Sequence, residues 1–424
     1  MKNSFKKWQM LALFGLLSAS NSFQWNTFAP LTYVFQTHFG KSDILYINLF
    51  SLVYMIIYPF MMFPCLWTVE NDRKIRSWFQ RAKVYPVDAS NSNGIKAGAF
   101  LNALGTFIRW YWSNEYNICL IGQCVSAIAQ GFILGLPSKL ASCWFPEKLQ
   151  SLATSIAVNC NTMGVLLAFF ITPLAISSNN QAADISRYFL IQFIFCCVIF
   201  ALIVMFFESD SPFYAVESIK RNYGVGSLIF KAMKNARFAA LFVAYGINIG
   251  VQYSVTTLMA QMIVPIYPSR EFDVGFLGLG FIGVGMIFIL IAGNYLDRTK
   301  KYASACRWLY ILAILSYTFY NIALEFLSFE YVVLAIIFLG GSLSAMMPSG
   351  FELAAKSFND IDEATSSFLL NTSAQFFGII LIFSMGALDG ICVYPPFNKA
   401  YSMQLANWIT LFLLLQGALL QFFI

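Results

Sequence analysis

The chain has 424 residues, of which 59% are hydrophobic and only 11% charged, and its mean hydropathy is +0.67. A soluble globular domain carries about 25% charged residues, so this composition excludes a soluble protein and indicates a membrane protein. The formal net charge of +6 is explained below by membrane orientation and requires no nucleic-acid partner.

Apolar stretches long enough to cross a membrane follow one another along the chain. A helix needs about 20 residues to cross ~30 Å of hydrocarbon, and a barrel strand would alternate instead of running continuously apolar. We therefore expect an all-α membrane protein with twelve transmembrane helices. In chain order, the predicted helices 1 to 12 span residues 8–37, 43–67, 97–112, 116–143, 151–176, 188–207, 238–266, 273–296, 304–324, 331–355, 362–388 and 401–423.

The basic residues orient these helices. If the N-terminus is cytoplasmic, 21 of the 26 lysines and arginines fall on the cytoplasmic side. Those left outside are Lys41, Arg109, Arg187, Arg270 and Lys399. Cytoplasmic loops of membrane proteins carry an excess of Lys and Arg, so we expect both the N- and the C-terminus in the cytoplasm.

Two longer cytoplasmic segments are expected. The loop 70–96 contains a basic and aromatic stretch, Arg73 to Arg81, which predicts a short interfacial helix, and then a polar stretch, Asp88 to Gly94, which predicts a flexible tether. The linker 208–237 carries a second basic amphipathic stretch, Lys220 to Arg237.

Weak internal repeats divide the chain into two halves. Pro137-Ser138 recurs as Pro348-Ser349, 211 residues later, and Gln24-Trp25 is echoed by Gln252-Tyr253, 228 residues later. The length of the cytoplasmic loop in the first half accounts for the difference between the two shifts. We expect two pseudo-symmetric six-helix bundles, over residues 1–207 and 238–424. Such halves resemble the major facilitator superfamily, which places its substrate site between them.

A charged turn follows predicted helix 8. Its residues Gly293, Asp297, Arg298, Lys300 and Lys301 resemble the loop signature of that superfamily. An Asp at a helix end can hold another helix end in one gating state and release it in the other, so Asp297 and Arg298 are candidate gating residues. The alternative is a solvated charged turn that obeys the positive-inside rule.

Amide side chains inside the predicted spans mark a candidate site. They come from helices 1, 4, 7 and 11 and are Asn21, Gln123, Gln130, Asn248, Gln252, Asn371 and Gln375. Each one separately could join neighbouring helices by hydrogen bonds. Because intramembrane polar groups usually face a bundle interior or a cavity, together they predict a neutral polar cavity.

Two aromatic residues occupy matching places beside these amides. Trp25 lies one turn after Asn21 on the same helix face, and Tyr253 is its counterpart in the second half. A desolvated aromatic face can hold a cation, contributing ~0.5–2 kcal/mol. We expect the two rings to face each other across the pseudo-symmetry axis; packing or a place in the interface belt is the alternative for each of them.

Ionisable groups are scarce within the predicted spans. They include Glu352, near the inner end of helix 10, and Arg109, near the outer end of helix 3. A proton-coupled transporter usually needs a buried acidic or histidine relay, and the sole histidine, His38, is interpreted as an outer loop residue. Uncoupled, facilitated transport is therefore expected.

Short motifs in both halves resemble the FLVCR family, the feline leukaemia virus subgroup C receptor-related transporters. The matching stretches include Ser20-Asn21-Ser22-Phe23-Gln24-Trp25, Leu52-Val53-Tyr54-Met55, Ala129-Gln130-Gly131-Phe132, Tyr245-Gly246-Ile247-Asn248, Gly350-Phe351-Glu352 and Ser373-Ala374-Gln375. The resemblance implies a major facilitator fold and facilitative transport of choline and ethanolamine, with some members described as haem exporters. It also implies that Trp25 and Tyr253 cage the quaternary ammonium, and that Asn21, Tyr54, Gln130 and Gln375 line the site or bind the hydroxyl end.

The leading hypothesis is a uniporter of choline or ethanolamine, with Asn248 and Asn371 as further substrate-binding residues. The alternative is an exporter of haem or another amphipathic small molecule; the single His38 makes histidine ligation of haem hard to build. A non-transporting scaffold gives no reason for the converging polar residues. An enzyme is less consistent still, because the sequence shows no nucleophile–base pair.

The nine cysteines show no metal-type spacing, and no cofactor or metal is expected. We expect a monomer surrounded by membrane lipid, in the plasma membrane, with an organelle membrane as the alternative.

Overall fold

The structure is a computed structural model that describes residues 2–61, 64, 92–176, 181–207, 225–270, 273–358, 363–388 and 403–424. Within these ranges the chain forms helices and turns and contains no β-strand. The prediction of an all-α protein is confirmed for this part of the chain.

Helices make up most of the described residues in both halves. In the first half they are α1 (Lys2–Trp25), α2 (Thr32–His38), α3 (Leu45–Met61), α4 (Ser92–Tyr111), α5 (Tyr116–Gly131), α6 (Pro137–Trp144), α7 (Gln150–Ala175) and α8 (Gln181–Phe206). The amphipathic helix α9 (Val225–Lys234) leads to the second half. There they are α10 (Ala236–Ile263), α11 (Asp273–Thr299), α12 (Tyr302–Phe326), α13 (Phe329–Ser344), α14 (Met346–Ser357), α15 (Glu363–Ala387) and α16 (Gln404–Phe423).

Length and composition alone identify eight helical segments that could cross a membrane. They are α7, α8, α10, α11, α12, the continuous pair α13–α14, α15 and α16. Helix is present within each of the twelve predicted spans, but the count of twelve crossings and the cytoplasmic position of the termini stay predictions.

Three predicted spans each contain two helices. The span 8–37 is divided by a 3₁₀ turn, Ala29–Leu31, and the span 116–143 by the turn before Pro137. The span 331–355 is divided at Ala345, the residue between α13 and α14. A proline lies at or near each break; it removes one backbone donor and clashes with the preceding turn. The apolar character of the sequence continues across each break, so hydropathy alone does not predict the breaks.

Two of these breaks occupy matching places in the halves. Pro137 begins α6, and Pro348 lies in the first turn of α14. The same two prolines carry the internal repeat of the sequence. The matching geometry supports the pseudo-symmetry of the halves.

The predicted cytoplasmic segments are described only in part. Residues 70–91 of the loop, with its predicted interfacial helix, and residues 208–224 of the linker lie outside the described residues. Ser92 to Lys96 belong to α4, so the prediction of a flexible tether is wrong for residues 92–94. The end of the linker is also helical: the Asn235 side chain caps α10 by accepting hydrogen bonds from the backbone N–H groups of Arg237 and Phe238.

Glycines bring the corresponding pair of helices close together in each half. A Cβ at Gly164 of α7 would lie 2.0 Å from the carbonyl oxygen of Ala19 on α1. A Cβ at Gly246 of α10 would lie 2.0 Å from Oγ of Ser373 on α15. Small residues allow such close backbone approach in membranes. The first and fifth predicted helices of each half are thus held in contact.

Candidate functional site

Three aromatic side chains from both halves meet in the interior: Trp25 of α1, Tyr54 of α3 and Tyr253 of α10, together called the aromatic cluster. The rings of Trp25 and Tyr253 have centroids 4.8 Å apart and an interplanar angle of 89°. The ring of Tyr54 lies nearly parallel to that of Trp25, with centroids 6.4 Å apart. All three side chains are buried. The structure therefore brings the two predicted cage residues into direct contact.

The edge-to-face arrangement has an electrostatic meaning. An aromatic face carries negative charge density and an aromatic edge carries positive charge density. In the Trp25–Tyr253 pair, the edge of one ring occupies a position that a cation would also favour. The aromatic cluster is therefore chemically suited to a cation without a carboxylate.

A hydrogen bond fixes the indole of Trp25. Its Nε1 donates to the carbonyl oxygen of Ser51 on α3 at 3.1 Å. Trp25 is also the last residue of α1, where backbone carbonyls no longer have helical partners. The ring is thus held at a helix end by a contact to a neighbouring helix.

Close packing places α15 against the aromatic cluster. A Cβ at Gly378 would lie 3.2 Å from Sδ of Met55 and 3.5 Å from Cδ2 of Tyr253. Gln375 precedes Gly378 by three residues, which puts both on one face of α15. The predicted site residue Gln375 therefore lies on the side of α15 that faces the cluster.

Five predicted site residues have buried polar atoms without a hydrogen-bond partner among the described residues. These atoms are the hydroxyl oxygen of Tyr54, Oε1 of Gln130, Oδ1 of Asn371 and both side-chain polar atoms of Asn248 and of Gln375. Leaving a buried polar group unsatisfied costs about 1–3 kcal/mol, so each such group needs an explanation. A ligand that exchanges hydrogen bonds with them would provide one.

The NH₂ groups of two predicted site amides, Asn21 and Asn371, donate hydrogen bonds to neighbouring helices or turns. Nδ2 of Asn21 donates to Oδ1 of Asn102 and to the carbonyl oxygen of Ser126, both at 2.9 Å. Nδ2 of Asn371 donates to the carbonyl oxygen of Leu134 at 3.2 Å, in the turn between α5 and α6. Asn21 therefore joins helices of the first half, and Asn371 joins the two halves.

Ionisable side chains are also buried near the predicted outer helix ends, where the sequence suggested a neutral interior. Arg109 of α4 is completely buried and donates to Oε1 of Gln123 and of Gln192, both at 2.6 Å. The sequence placed Arg109 near the outer end of predicted helix 3, and the structure buries it completely among glutamines. In the second half, Glu325 of α12 is completely buried and accepts from Trp408 at 2.8 Å. Glu325 was missed because it follows the predicted end of helix 9 by one residue.

Hydrogen bonds join the two halves near the predicted cytoplasmic end. The backbone N–H of Leu152 on α7 donates to Oδ2 of Asp297 on α11 at 3.1 Å. Nearby in sequence, Oγ of Ser151 donates to Oε2 of Glu352 at 2.9 Å. Asp297 also lies 3.8 Å from Nζ of Lys300, whereas Arg298 is exposed. Of the two predicted gating residues, Asp297 makes the contact.

A separate contact joins the halves at the predicted outer end. Nε2 of Gln261 on α10 donates to Oδ1 of Asn48 on α3 at 2.8 Å, and both side chains are buried. The aromatic cluster thus lies between an inner and an outer contact. Within the described residues, no three or more His, Cys, Asp or Glu side chains are grouped so that they could hold a metal ion.

Comparison with known proteins identifies the family. Residues 93–383 match the family model of the Major Facilitator Superfamily. The protein named choline/ethanolamine transporter FLVCR1 of Felis catus is 30% identical over 426 residues, which cover 97% of this chain and 72% of that protein. The protein named choline/ethanolamine transporter flvcr2b of Danio rerio is 29% identical over 396 residues, covering 90% and 78%. FLVCR2 of Homo sapiens, named in the same way, is 29% identical over 407 residues, covering 92% and 73%.

Solved structures show the same fold. A crystal structure of the Major Facilitator Superfamily transporter FucP in the outward conformation matches with a TM-score of 0.70 at 15% sequence identity, covering 97% of this chain and 98% of that chain. A fucose:proton symporter FucP of E. coli also matches with a TM-score of 0.70, at 13% identity, covering 100% and 99%. The chain belongs to the major facilitator superfamily and, within it, to the FLVCR family: it is a multi-pass integral membrane transporter and not an enzyme.

Proposed function

We propose that the protein is a facilitative, alternating-access uniporter of choline and ethanolamine that holds the ammonium group within the aromatic cluster. The observation that carries the proposal is the contact between Trp25 and Tyr253, one from each half, with ring centroids 4.8 Å apart. The names of the FLVCR relatives, choline/ethanolamine transporters, support the same substrate class.

The polar end of the substrate finds partners of the required chemistry. Choline and ethanolamine each carry a hydroxyl that both donates and accepts hydrogen bonds. The unsatisfied atoms of Asn248 and Gln375 include an amide donor and a carbonyl acceptor on each side chain, and Gln130 contributes an acceptor. In this proposal the aromatic faces select the cation and the amides bind the hydroxyl.

Alternating access uses the contacts between the halves. The Leu152–Asp297 hydrogen bond closes the cytoplasmic end, and the Asn48–Gln261 hydrogen bond closes the outer end. Breaking one set while the other persists would open the aromatic cluster to one side at a time. We include twelve membrane crossings, cytoplasmic termini, a monomeric state and a plasma-membrane location in the proposal.

Uptake of radiolabelled choline and ethanolamine into cells that express the protein tests this function. For a monovalent cation the membrane potential contributes ~2.3 kcal/mol per 100 mV, so uptake should fall on depolarisation and persist when the pH gradient is abolished. Trp25→Ala should reduce choline uptake by about tenfold, since a desolvated cation–π contact is worth up to ~2 kcal/mol.

The matched control is Trp308→Ala, because Trp308 is 68% exposed on the surface of α12. It should leave uptake close to the wild-type value. Equal uptake by the two variants would contradict the role of Trp25. If the protein supports haem efflux and transports neither amine, the proposed substrate is wrong and the alternative hypothesis, a haem exporter, takes its place.

A further inference from the structure

A buried guanidinium lies at the centre of a ring of glutamines in the first half. Arg109 donates to Oε1 of Gln123 and of Gln192 at 2.6 Å each and to Oε1 of Gln24 at 3.4 Å. These three glutamines come from α5, α8 and α1. Among the described residues no carboxylate pairs with Arg109. The charge is instead surrounded by amide oxygens and by the rings of Phe28 and Phe189, whose centroids lie 5.9 and 5.3 Å from Cζ.

This arrangement fixes the direction of every amide in the ring. An arginine has only donors, so each glutamine must turn its oxygen toward the guanidinium and its NH₂ group away from it. A neutral hydroxyl or amide in place of the guanidinium could accept as well as donate and would allow either direction. The buried charge therefore sets a single hydrogen-bond pattern for α1, α5 and α8.

The outward NH₂ group of Gln123 reaches the backbone that carries the cage residue Trp25. It donates to the carbonyl oxygen of Gln24 at 3.0 Å and to that of Phe50 at 3.1 Å. The first carbonyl belongs to the peptide group that leads into Trp25, and the second to the peptide group that leads into Ser51. The Ser51 carbonyl in turn accepts the indole N–H of Trp25. One side chain thus holds both backbone segments that position the indole.

A second glutamine holds the other side of Trp25. Nε2 of Gln192 donates to Oγ1 of Thr27 at 3.1 Å, two residues after Trp25. The segment from Gln24 to Thr27 is therefore bound on both sides of the tryptophan by amides whose direction Arg109 determines. This segment is the end of α1, where helical hydrogen bonds are incomplete.

We propose that Arg109 is a positioning residue for substrate selectivity: through Gln123 and Gln192, its guanidinium fixes the backbone around Trp25 and so the orientation of the indole toward the ammonium group. The inference rests on the proposed function. The quaternary ammonium of choline binds aromatic faces and offers no N–H donor, whereas the ammonium of ethanolamine also donates hydrogen bonds. A displaced indole therefore weakens the binding of choline more than the binding of ethanolamine.

Gln123→Glu separates positioning from simple neutralisation of the buried charge. The carboxylate keeps an acceptor for Arg109 and supplies the missing counter-charge, but it replaces the donor that faces the Gln24 and Phe50 carbonyls. If the glutamine only satisfied the charge, this variant would transport like the wild type. Because it positions the backbone, we expect the choline KM to rise about tenfold, the order of a lost desolvated aromatic contact.

The pair Arg109→Met and Arg109→Lys provides the conservative rescue. Methionine leaves the amide oxygens of Gln123 and Gln192 without their donor, while Oε1 of Gln24 keeps the donor of Ser126. A lysine ammonium has three donors and no acceptor and can still orient the glutamines. We expect the choline KM to rise about tenfold in Arg109→Met, the effect of losing a desolvated cation–π contact. In Arg109→Lys it should rise less than about threefold.

The readouts are the choline KM, the ratio of kcat/KM for choline to that for ethanolamine, and the amount of protein at the cell surface. A folding defect lowers the surface amount and the uptake of both amines together, leaving KM and the ratio unchanged. The matched control is Glu325→Gln, which removes one buried carboxyl group of the second half, where Gln404 and Trp408 of α16 are the bonded partners. It should leave the ratio unchanged.

Thr27→Val keeps the proposal testable if the other variants do not reach the surface. It is nearly isosteric and removes the hydroxyl that accepts from Gln192 and donates to the carbonyl oxygen of Phe23. It should lower the choline-to-ethanolamine ratio in the same direction by a smaller factor. Wild-type KM and ratio in Gln123→Glu, Arg109→Met and Thr27→Val would overturn the inference. Absence of amine transport by the wild type would instead show that the proposed function has failed.

Discussion

Asn248, Gln375 and Asn21 are all buried amides, but they differ in what their atoms bond to. Both polar atoms of Asn248 and of Gln375 lack a partner among the described residues, whereas Nδ2 of Asn21 donates twice, to Asn102 and to Ser126. At the residue scale this difference separates groups suited to a ligand from groups that join helices. Binding sites commonly keep such unsatisfied groups at a cost in stability.

The distinction predicts opposite effects on stability. Gln375→Met and Asn248→Leu remove buried unsatisfied atoms, each worth about 1–3 kcal/mol, and should raise the thermal midpoint of the purified protein while lowering choline transport. Asn21→Leu should lower the midpoint, since it leaves the oxygens of Asn102 and Ser126 without their donor. Thermal unfolding in detergent, combined with uptake assays, measures both. A fall in midpoint for all three variants would contradict the assignment of Asn248 and Gln375 to a ligand site.

At the element scale, the close contact between α1 and α7 positions the end of α1 that carries Trp25. The contact depends on Gly164, where a Cβ would lie 2.0 Å from the Ala19 carbonyl oxygen. Because that oxygen belongs to the backbone, the helices themselves would have to move apart. The geometry of the aromatic cluster therefore depends on a glycine with no polar contact to the site.

Gly164→Ala should consequently destabilise the protein by about 1–3 kcal/mol, the usual cost of overpacking, and reduce transport. The control is Gly386→Ala on α15, where a Cβ would meet nothing within 4 Å; replacing a helical glycine there should stabilise by about 0.5–1 kcal/mol. Thermal midpoints and surface amounts measure the two effects. Equal midpoints in the two variants would show that the α1–α7 contact tolerates a side chain.

The sequence predicted the helices and the aromatic pair well because their signals are local. Continuous apolar runs predicted helix in every span, and the repeat of Gln24-Trp25 as Gln252-Tyr253 predicted rings that the structure brings together. The ring around Arg109 could not be predicted in the same way: an arginine near a span end resembles an interface anchor, and its glutamine partners come from three helices. The partner of Asp297 in the other half is the backbone N–H of Leu152, which has no signature in the sequence.

At the scale of the whole molecule, the halves are joined on both sides of the aromatic cluster by contacts of unequal strength. The inner contact of Asp297 with the Leu152 N–H involves a charged acceptor, and hydrogen bonds to charged groups contribute about 1.5–3 kcal/mol. The outer contact between Asn48 and Gln261 is neutral and contributes about 0.5–1.5 kcal/mol. Alternating access requires these contacts to oppose each other, because opening one end must be compatible with closure of the other.

Removing either contact should therefore shift the population of conformations in opposite directions. Asp297→Ala should favour the state whose cytoplasmic end is open, by about tenfold or more for the loss of 1.5–3 kcal/mol. Asn48→Ala should favour the state whose outer end is open, by a smaller factor. Spin labels on cysteines introduced at the exposed positions Lys148 and Arg298, one in each half, report the separation of the inner ends in lipid nanodiscs.

The expected result is a larger fraction of long distances in Asp297→Ala and a smaller fraction in Asn48→Ala than in the parent protein. Asp297→Asn serves as the graded control, because its side-chain carbonyl can still accept from Leu152 without the charge, and it should fall between the parent and Asp297→Ala. The label sites themselves need a background in which accessible native cysteines, such as Cys124 and Cys197, are replaced by serine. Shifts in the same direction for both alanine variants would mean that the two contacts do not alternate, and the gating assignment of Asp297 would then be wrong.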